Sequence, residues 1–143
     1  MSTPIELGLP RWHDLVESRD PSGLRDLIAE DAVFRSPAVH TPQEGRDLVH
    51  LYLVGAMTVL GPKLEYVDEW THERDAILEF RTVVDDLEVS GIDRITWDDE
   101  GRIIDFTVMI RPVKALHVVI EKMGEELARL AEAAKQQSSD GDD

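Results

Sequence analysis

One carboxyl group stands on a predicted strand face that is otherwise apolar. Side chains alternate between the two faces of a β-strand. Within 89–97, one face therefore carries Val89, Gly91, Asp93, Ile95 and Trp97. A buried carboxylate without a partner is costly, so it pairs, accepts hydrogen bonds or holds a raised pKa. A carboxyl of raised pKa in an apolar cleft suits general acid–base catalysis, or hydrogen-bond donation to a developing oxyanion.

Two structural interpretations of Asp93 compete with the chemical one. Asp93 could bond a buried Tyr, Trp or His and only organise the core. Alternatively, Gly91 could mark a β-bulge, which would reverse the alternation and place Asp93 on the outer face. The sequence leaves all three interpretations open.

Composition excludes several classes of function. Fifteen Lys and Arg against 30 Asp and Glu give a net charge of −15, which predicts no nucleic-acid partner and no membrane docking. Cysteine is absent, so disulfides and thiolate chemistry are excluded. The five histidines lack helical ligand spacing, and no glycine-rich phosphate motif occurs, so we expect neither a metal nor a cofactor. Residues 1–10 lack a basic leader and the apolar runs are short, which predicts a cytoplasmic protein.

Helical spacing dominates the first part of the chain, and an alternating pattern follows. The first part predicts a helix from Pro10 to about Ser18, a second around 24–28, a short strand at 32–35 and a third helix over 45–60. Alternation then predicts four strands, over 64–71, 76–85, 89–97 and 103–111, joined by short turns as an antiparallel meander. A long amphipathic helix follows Pro112. This order predicts an α+β domain over 1–135 and a disordered acidic tail over 136–143.

Two segments carry a resemblance to a known superfamily. They are LRDLIAEDAVF at 24–34, continued by Ser36-Pro37 and Gly45-Arg46, and IDRITWDDEGRI at 92–103. Together with the order of elements, they resemble the NTF2-like superfamily, and within it the SnoaL-like and ketosteroid-isomerase-like proteins. The resemblance implies an NTF2-like cone, in which a curved antiparallel meander sheet packs on three N-terminal helices, with a C-terminal helix added.

The resemblance also implies a chemistry. Ketosteroid isomerases use a cavity Asp as base, with a Tyr and a protonated second Asp as the oxyanion hole. By position, the second Asp matches Asp93, the base falls on Ser36 and the Tyr falls on Trp12. SnoaL-like cyclases rely on a single cavity acid or base. The function implied is therefore a cofactor-independent isomerase or cyclase that moves a proton on an apolar carbonyl compound. The alternative is a non-catalytic NTF2-like module that binds a ligand or a protein.

The resemblance suggests further site residues. Asp93 is the catalytic candidate, and His40 and Tyr52 are secondary ones: His40 by its loop near the cavity mouth, Tyr52 by its hydroxyl on the third helix. An exposed loop histidine and a packed core tyrosine are the alternatives. The expected partners are a small apolar molecule and a second copy in a homodimer. The residues expected to line the ligand cavity are Trp12, Phe34, Tyr52, Phe80, Trp97, Phe106 and Val108, although their spacing is equally that of ordinary core.

Overall fold

Three α-helices and six strands form most of the described part of the chain. The computed structural model describes the backbone of residues 2–140 and the side chains of residues 2–136. The helices are α1 (Pro4–Ser18), α2 (Arg46–Val59) and α3 (Val113–Asp140). The strands are β1 (Ile28–Arg35), β2 (Gln43–Glu44), β3 (Glu65–His72), β4 (Asp75–Val84), β5 (Leu87–Trp97) and β6 (Ile103–Arg111).

The strands form one mixed, curved sheet in the order β2-β1-β6-β5-β4-β3. β3 to β6 pair antiparallel in chain order, which confirms the predicted meander. β1 pairs in parallel with β6 and carries the short β2 on its other side. The predicted α+β class and NTF2-like architecture are therefore confirmed.

The first helix begins earlier than the sequence predicts. It starts at Pro4 rather than after Pro10, because the Thr3 hydroxyl caps it by accepting a hydrogen bond from the Glu6 backbone N–H at 3.2 Å. Pro10 lies inside the helix and is exposed. Burial of neighbouring residues such as Trp12 offsets the hydrogen bond that the proline cannot make.

The predicted second helix is reduced to two single 3₁₀ turns, Pro21–Gly23 and Arg25–Leu27. Glycine and proline both disfavour a continuing α-helix. Ile28, assigned to that helix by its spacing, instead begins β1 and pairs with Ile103. Ile28 is fully buried there, so packing against the sheet decides its conformation.

The last helix is longer than predicted. α3 continues to Asp140, whereas a disordered tail was expected from Gln136. Residues 131–137 are alanine, glutamate, lysine and glutamine, which favour helix, and no glycine or proline lies between Ala131 and Gly141. The remainder of the predicted tail, 141–143, lies outside the described residues. Within the described part of the chain, no helix is both apolar and long enough to span a membrane.

The core lies between the concave face of the sheet and the helices. Burial alternates along β5, and its register with β4 is continuous from Leu87 to Thr96. Gly91 therefore introduces no bulge, and the odd-numbered residues face the core. Asp93 is among them, with 6% of its surface exposed.

Candidate active site

Asp93 lies in the middle of the sheet on its concave face. Its cross-strand neighbours are Leu78 on β4 and Val108 on β6, which are 0% and 5% exposed. Only one other polar side chain, Thr82, is as deeply buried among the described residues, and its hydroxyl donates to the Leu60 carbonyl at 2.8 Å. The carboxyl therefore sits where water and counter-ions stabilise it least.

Three elements converge on this carboxyl through a chain of hydrogen bonds. The Tyr66 hydroxyl on β3 donates to Asp93 Oδ2 at 2.5 Å. The Trp12 indole Nε1–H on α1 donates to the same hydroxyl oxygen at 3.0 Å. The tyrosine oxygen thus accepts from the indole, and the tyrosine proton points at the carboxyl.

A register shift in β3 follows the residue that completes this chain. Tyr66 is opposite Phe80 of β4, and the pairing shifts between Tyr66 and Asp68. Val67 is the extra residue at this irregularity and is 41% exposed. Tyr66 is thereby held against the concave side, while most of β3 faces solvent.

Burial raises the pKa of Asp93 to about 7, and the hydrogen bond from Tyr66 opposes that rise. Burial, followed by the Asp93 charge and hydrogen bond, raises the pKa of Tyr66 well above its ordinary value. Among the described ion pairs, none involves Asp93. The carboxyl is therefore divided between its neutral and charged forms near neutral pH.

The second oxygen of this carboxyl is available to a ligand. No hydrogen bond within the described chain reaches Asp93 Oδ1, whereas Oδ2 takes the Tyr66 hydroxyl. Every fully buried side-chain nitrogen or oxygen of the described residues has a hydrogen-bond partner. Oδ1 therefore keeps accessible surface, and the space beside it is the cavity that Asp93 lines.

The cavity has a volume of about 380 Å³, which is within the usual range for small-molecule sites. Its wall is largely apolar and includes side chains from α1, α2 and β6. At its edge the Arg19 guanidinium, just after α1, donates to the carbonyls of Gly61 and Leu64 and so ties α1 to the segment before β3. Residues that line the cavity around Asp93 include Trp12, Leu53, Ala56, Tyr66, Phe106 and Val108.

Comparison with known proteins agrees with this architecture. A model of the SnoaL-like domain matches residues 9–106. The chain belongs to the SnoaL-like family. A steroid delta-isomerase from Pseudomonas aeruginosa is 39% identical, with 92% of this chain and 97% of that chain covered and a TM-score of 0.86.

More distant structures share the same fold. A conserved bacterial protein with a cystatin-like fold from Silicibacter pomeroyi is 29% identical, with 91% of this chain and 92% of that chain covered and a TM-score of 0.80. An NTF2-like protein of unknown function from Mesorhizobium loti is 21% identical over 76% of this chain and 91% of that one, with a TM-score of 0.65. No curated protein matches the chain.

The structure divides the expected ligand residues of this SnoaL-like protein among three environments. Trp12, Phe106 and Val108 line the cavity that holds Asp93. Phe34 and Tyr52 line a separate cavity beside α3, which Val108 also borders. Phe80 and Trp97 line neither of these cavities.

Close contacts with glycine explain why Phe80 and Trp97 border neither cavity. A Cβ atom on Gly91 would lie 2.5 Å from Phe80 Cζ, so the ring fills the space above that glycine. A Cβ atom on Gly8 of α1 would lie 2.2 Å from Trp97 Cδ1. Both rings are packed against glycine backbone in the core, apart from the cavity that holds Asp93.

The secondary catalytic candidates lie apart from Asp93. His40 is exposed in the loop before β2. The Tyr52 ring packs against Phe34 with their centroids 5.4 Å apart, on the separate cavity. Ser36, at the position that the family resemblance assigns to the isomerase base, accepts a hydrogen bond from the Ala38 N–H at 2.9 Å.

Sequence reasoning missed Tyr66, which is the hydroxyl that bonds Asp93. Alternation puts Tyr66 on the same face as Leu64, which directly precedes β3, and this is the signal that could have placed the ring on the apolar side. The chain has only two tyrosines, so a buried partner for Asp93 had few candidates. Among the described residues, no cluster of His, Asp and Glu has the arrangement of a metal site.

Proposed function

We propose that this SnoaL-like protein catalyses proton transfer next to the carbonyl group of an apolar compound, without a cofactor and with Asp93 as acid and base. The observation that carries the proposal is a buried carboxyl on a cavity wall, with a pKa of about 7, one accessible oxygen and no cation partner among the described residues. General acid–base catalysis is most efficient when the pKa of the group lies near the working pH.

The steps follow from the state of the carboxyl. Charged Asp93 takes a proton from the carbon beside the carbonyl, and the electrons of the broken C–H bond form an enolate. Asp93 then holds the proton on a largely apolar wall. Return of the proton to the far carbon of a conjugated enolate completes an isomerisation. In an aldol cyclisation the enolate carbon instead attacks a second carbonyl, whose oxygen becomes an alkoxide and takes the proton back from Asp93. The likeness to a steroid delta-isomerase supports the isomerisation.

Tyr66 is a positioning residue in this proposal. Its hydroxyl fixes Oδ2 and thereby directs Oδ1 into the cavity. Its hydrogen bond also holds the pKa of Asp93 below the value that burial alone would give. Trp12 fixes the hydroxyl in turn, so the carboxyl is held by one residue from α1 and one from β3.

A non-catalytic ligand-binding module is the second candidate. Among the described residues that line the cavity, Asp93 is the one carboxylic acid. The position that the resemblance assigns to a second acid holds Ser36, whose hydroxyl oxygen accepts from the Ala38 N–H. A serine cannot relay a proton between two carbons as a carboxylate can. In this case Asp93 binds a ligand carbonyl or hydroxyl and performs no turnover.

Deuterium exchange separates the two candidates without knowledge of the natural substrate. We propose to follow exchange of the protons beside the carbonyl of β-tetralone in D₂O by NMR. Wild type is expected to accelerate exchange, and Asp93→Asn to lose that acceleration by about a hundredfold or more. Asp14→Asn, an exposed position on α1, is the matched control. Binding without exchange in wild type would favour the non-catalytic module.

We further propose a homodimer formed through the convex face of the sheet. Trp70 on β3 and Met109 on β6 point outward and are 53% and 54% exposed. Ile77 on β4 is opposite Trp70 and continues this apolar surface. Sedimentation analysis is expected to give a molecular mass of twice that of the chain for wild type, and a lower mass for Trp70→Glu because a charge would disrupt the interface. A monomeric wild type at micromolar concentration would contradict the proposal.

A further inference from the structure

A second cavity adjoins the one that holds Asp93. It has a volume of about 210 Å³ and lies between α2, α3 and the β1 end of the sheet. Three residues, Ala56, Leu60 and Val108, line both cavities. The wall between the cavities is therefore a single layer of side chains, and Ala56 is the smallest of them.

The lining of this second cavity suits hydrocarbon. No charged side chain of the described residues borders it. The Ser36 hydroxyl on its wall is already engaged by the Ala38 N–H. The remaining lining is apolar apart from the Tyr52 hydroxyl, so transfer of a flexible alkyl group from water into this space is favourable.

A glycine in α3 leaves an opening beside this cavity. Gly124 lies on the wall between Ile120 and Leu127, one turn before and after it on the same helix face. Only proline is less favourable than glycine in a helix interior. Neither a positive φ nor close packing requires glycine here, since a Cβ atom on Gly124 would meet no atom within 4 Å. The chain thus has an exposed glycine, an unfavourable helix residue, at the edge of this apolar cavity.

We propose that the second cavity holds the hydrocarbon tail of the ligand whose polar head meets Asp93. The substrate class is then a carbonyl compound that carries an alkyl or isoprenoid chain, rather than a compact polycycle confined to the first cavity. The alkyl chain of the ligand crosses the shared wall at Ala56 and lies along α3 beside Gly124. This inference rests on the proposed function, because Asp93 fixes the position of the head.

Phenols with para-alkyl chains of increasing length are the probes, because a phenol hydroxyl resembles an enol and can bond Asp93. Calorimetric titration of wild type is expected to show tighter binding as the chain lengthens from methyl to octyl. Each methylene that enters the second cavity strengthens binding by up to about fourfold.

Two variants obstruct the tail by different routes. Gly124→Leu adds a side chain from α3 at the edge of the second cavity, and Ala56→Leu enlarges the smallest side chain of the shared wall from α2. Both are expected to weaken para-octylphenol binding by at least about tenfold. Gly124→Leu keeps the para-cresol affinity of wild type, since Gly124 does not border the first cavity. Ala128→Leu, an exposed position on α3, is the matched control and binds both phenols as wild type does.

The outcomes distinguish an error in the tail assignment from an error in the proposed active site. If para-octylphenol binds no tighter than para-cresol, or if either obstructing variant keeps the gain with chain length, the tail assignment is wrong and the head site stands. If Gly124→Leu keeps the increase of affinity with chain length but changes the oligomeric state, Gly124 lies at a contact between copies of the protein and the tail assignment is wrong. If para-cresol fails to bind wild type, the proposed function fails and the tail assignment falls with it.

Discussion

Asp93→Asn is expected to stabilise the protein above neutral pH while it removes activity. The asparagine amide has nearly the shape of the protonated carboxyl, and its oxygen can still accept the Tyr66 hydroxyl. Only the ability to carry a charge is lost. A buried ionisable carboxyl lowers the stability of the fold at high pH, and the proposed catalytic role accounts for its presence.

The magnitude follows from the raised pKa. Below about pH 4, Asp93 is protonated in both the folded and the unfolded chain. As the pH rises, the unfolded chain ionises first, because burial raises the folded-state pKa from 3.8 to about 7. The stability associated with the protonated carboxyl is therefore fully present below pH 4 and is lost as the pH passes 7. Each pKa unit between the folded and the unfolded chain corresponds to about 1.4 kcal/mol, so the stability lost by ionisation is about 4 kcal/mol in total.

Urea unfolding at several pH values measures this difference. The free energy of unfolding of Asp93→Asn minus that of wild type is expected to grow by up to about 4 kcal/mol between pH 4 and pH 8 and then to level off. Taking the difference removes the effects of the other carboxyls, and Asp14→Asn shows the effect of losing one exposed charge. A difference that does not change with pH would refute the raised pKa, and with it the catalytic proposal.

Further substitutions test the packing of the site. Tyr66→Phe removes the hydroxyl bonded to Asp93; an NMR titration is expected to show a still higher carboxyl pKa, and the exchange rate should follow it to higher pH. Gly8→Ala would place a methyl group 2.2 Å from the Trp97 ring and should destabilise the fold by about 1–3 kcal/mol in urea. Gly124→Ala should instead stabilise it by up to about 1 kcal/mol, and loss of stability would show a packing role for that glycine.

The strands were predictable because local alternation and breaker residues determine them. β6 begins at Ile103 and ends at Arg111, directly before Pro112, as the alternation predicts. The helices were less predictable. Pro10 suggests a helix start, yet the Thr3 cap begins the helix earlier. Ile28 has helical spacing with its neighbours, but pairing with β6 places it in a strand.

The candidate site was predictable only in part. Alternation alone places Asp93 inside, because β5 pairs with β4 without a bulge. Its partner Tyr66 depends on the register of β3 with β4 and on the shift that follows it. The sequence also predicts that Phe80 and Trp97 are buried. Whether a buried ring borders a cavity or fills it depends on residues distant in the chain, such as Gly8.

The strand that supplies Tyr66 is the last one in the sheet and has a hydrogen-bonded neighbour on one side only. Edge strands detach from a sheet at a lower free energy than central ones. Asp93 lies two strands further in, so detachment of β3 would remove the hydroxyl and leave the carboxyl in place. The proton affinity of Asp93 is therefore coupled to local opening of this edge strand. Any contact that stabilises β3 in the sheet also maintains the hydrogen bond that lowers this affinity.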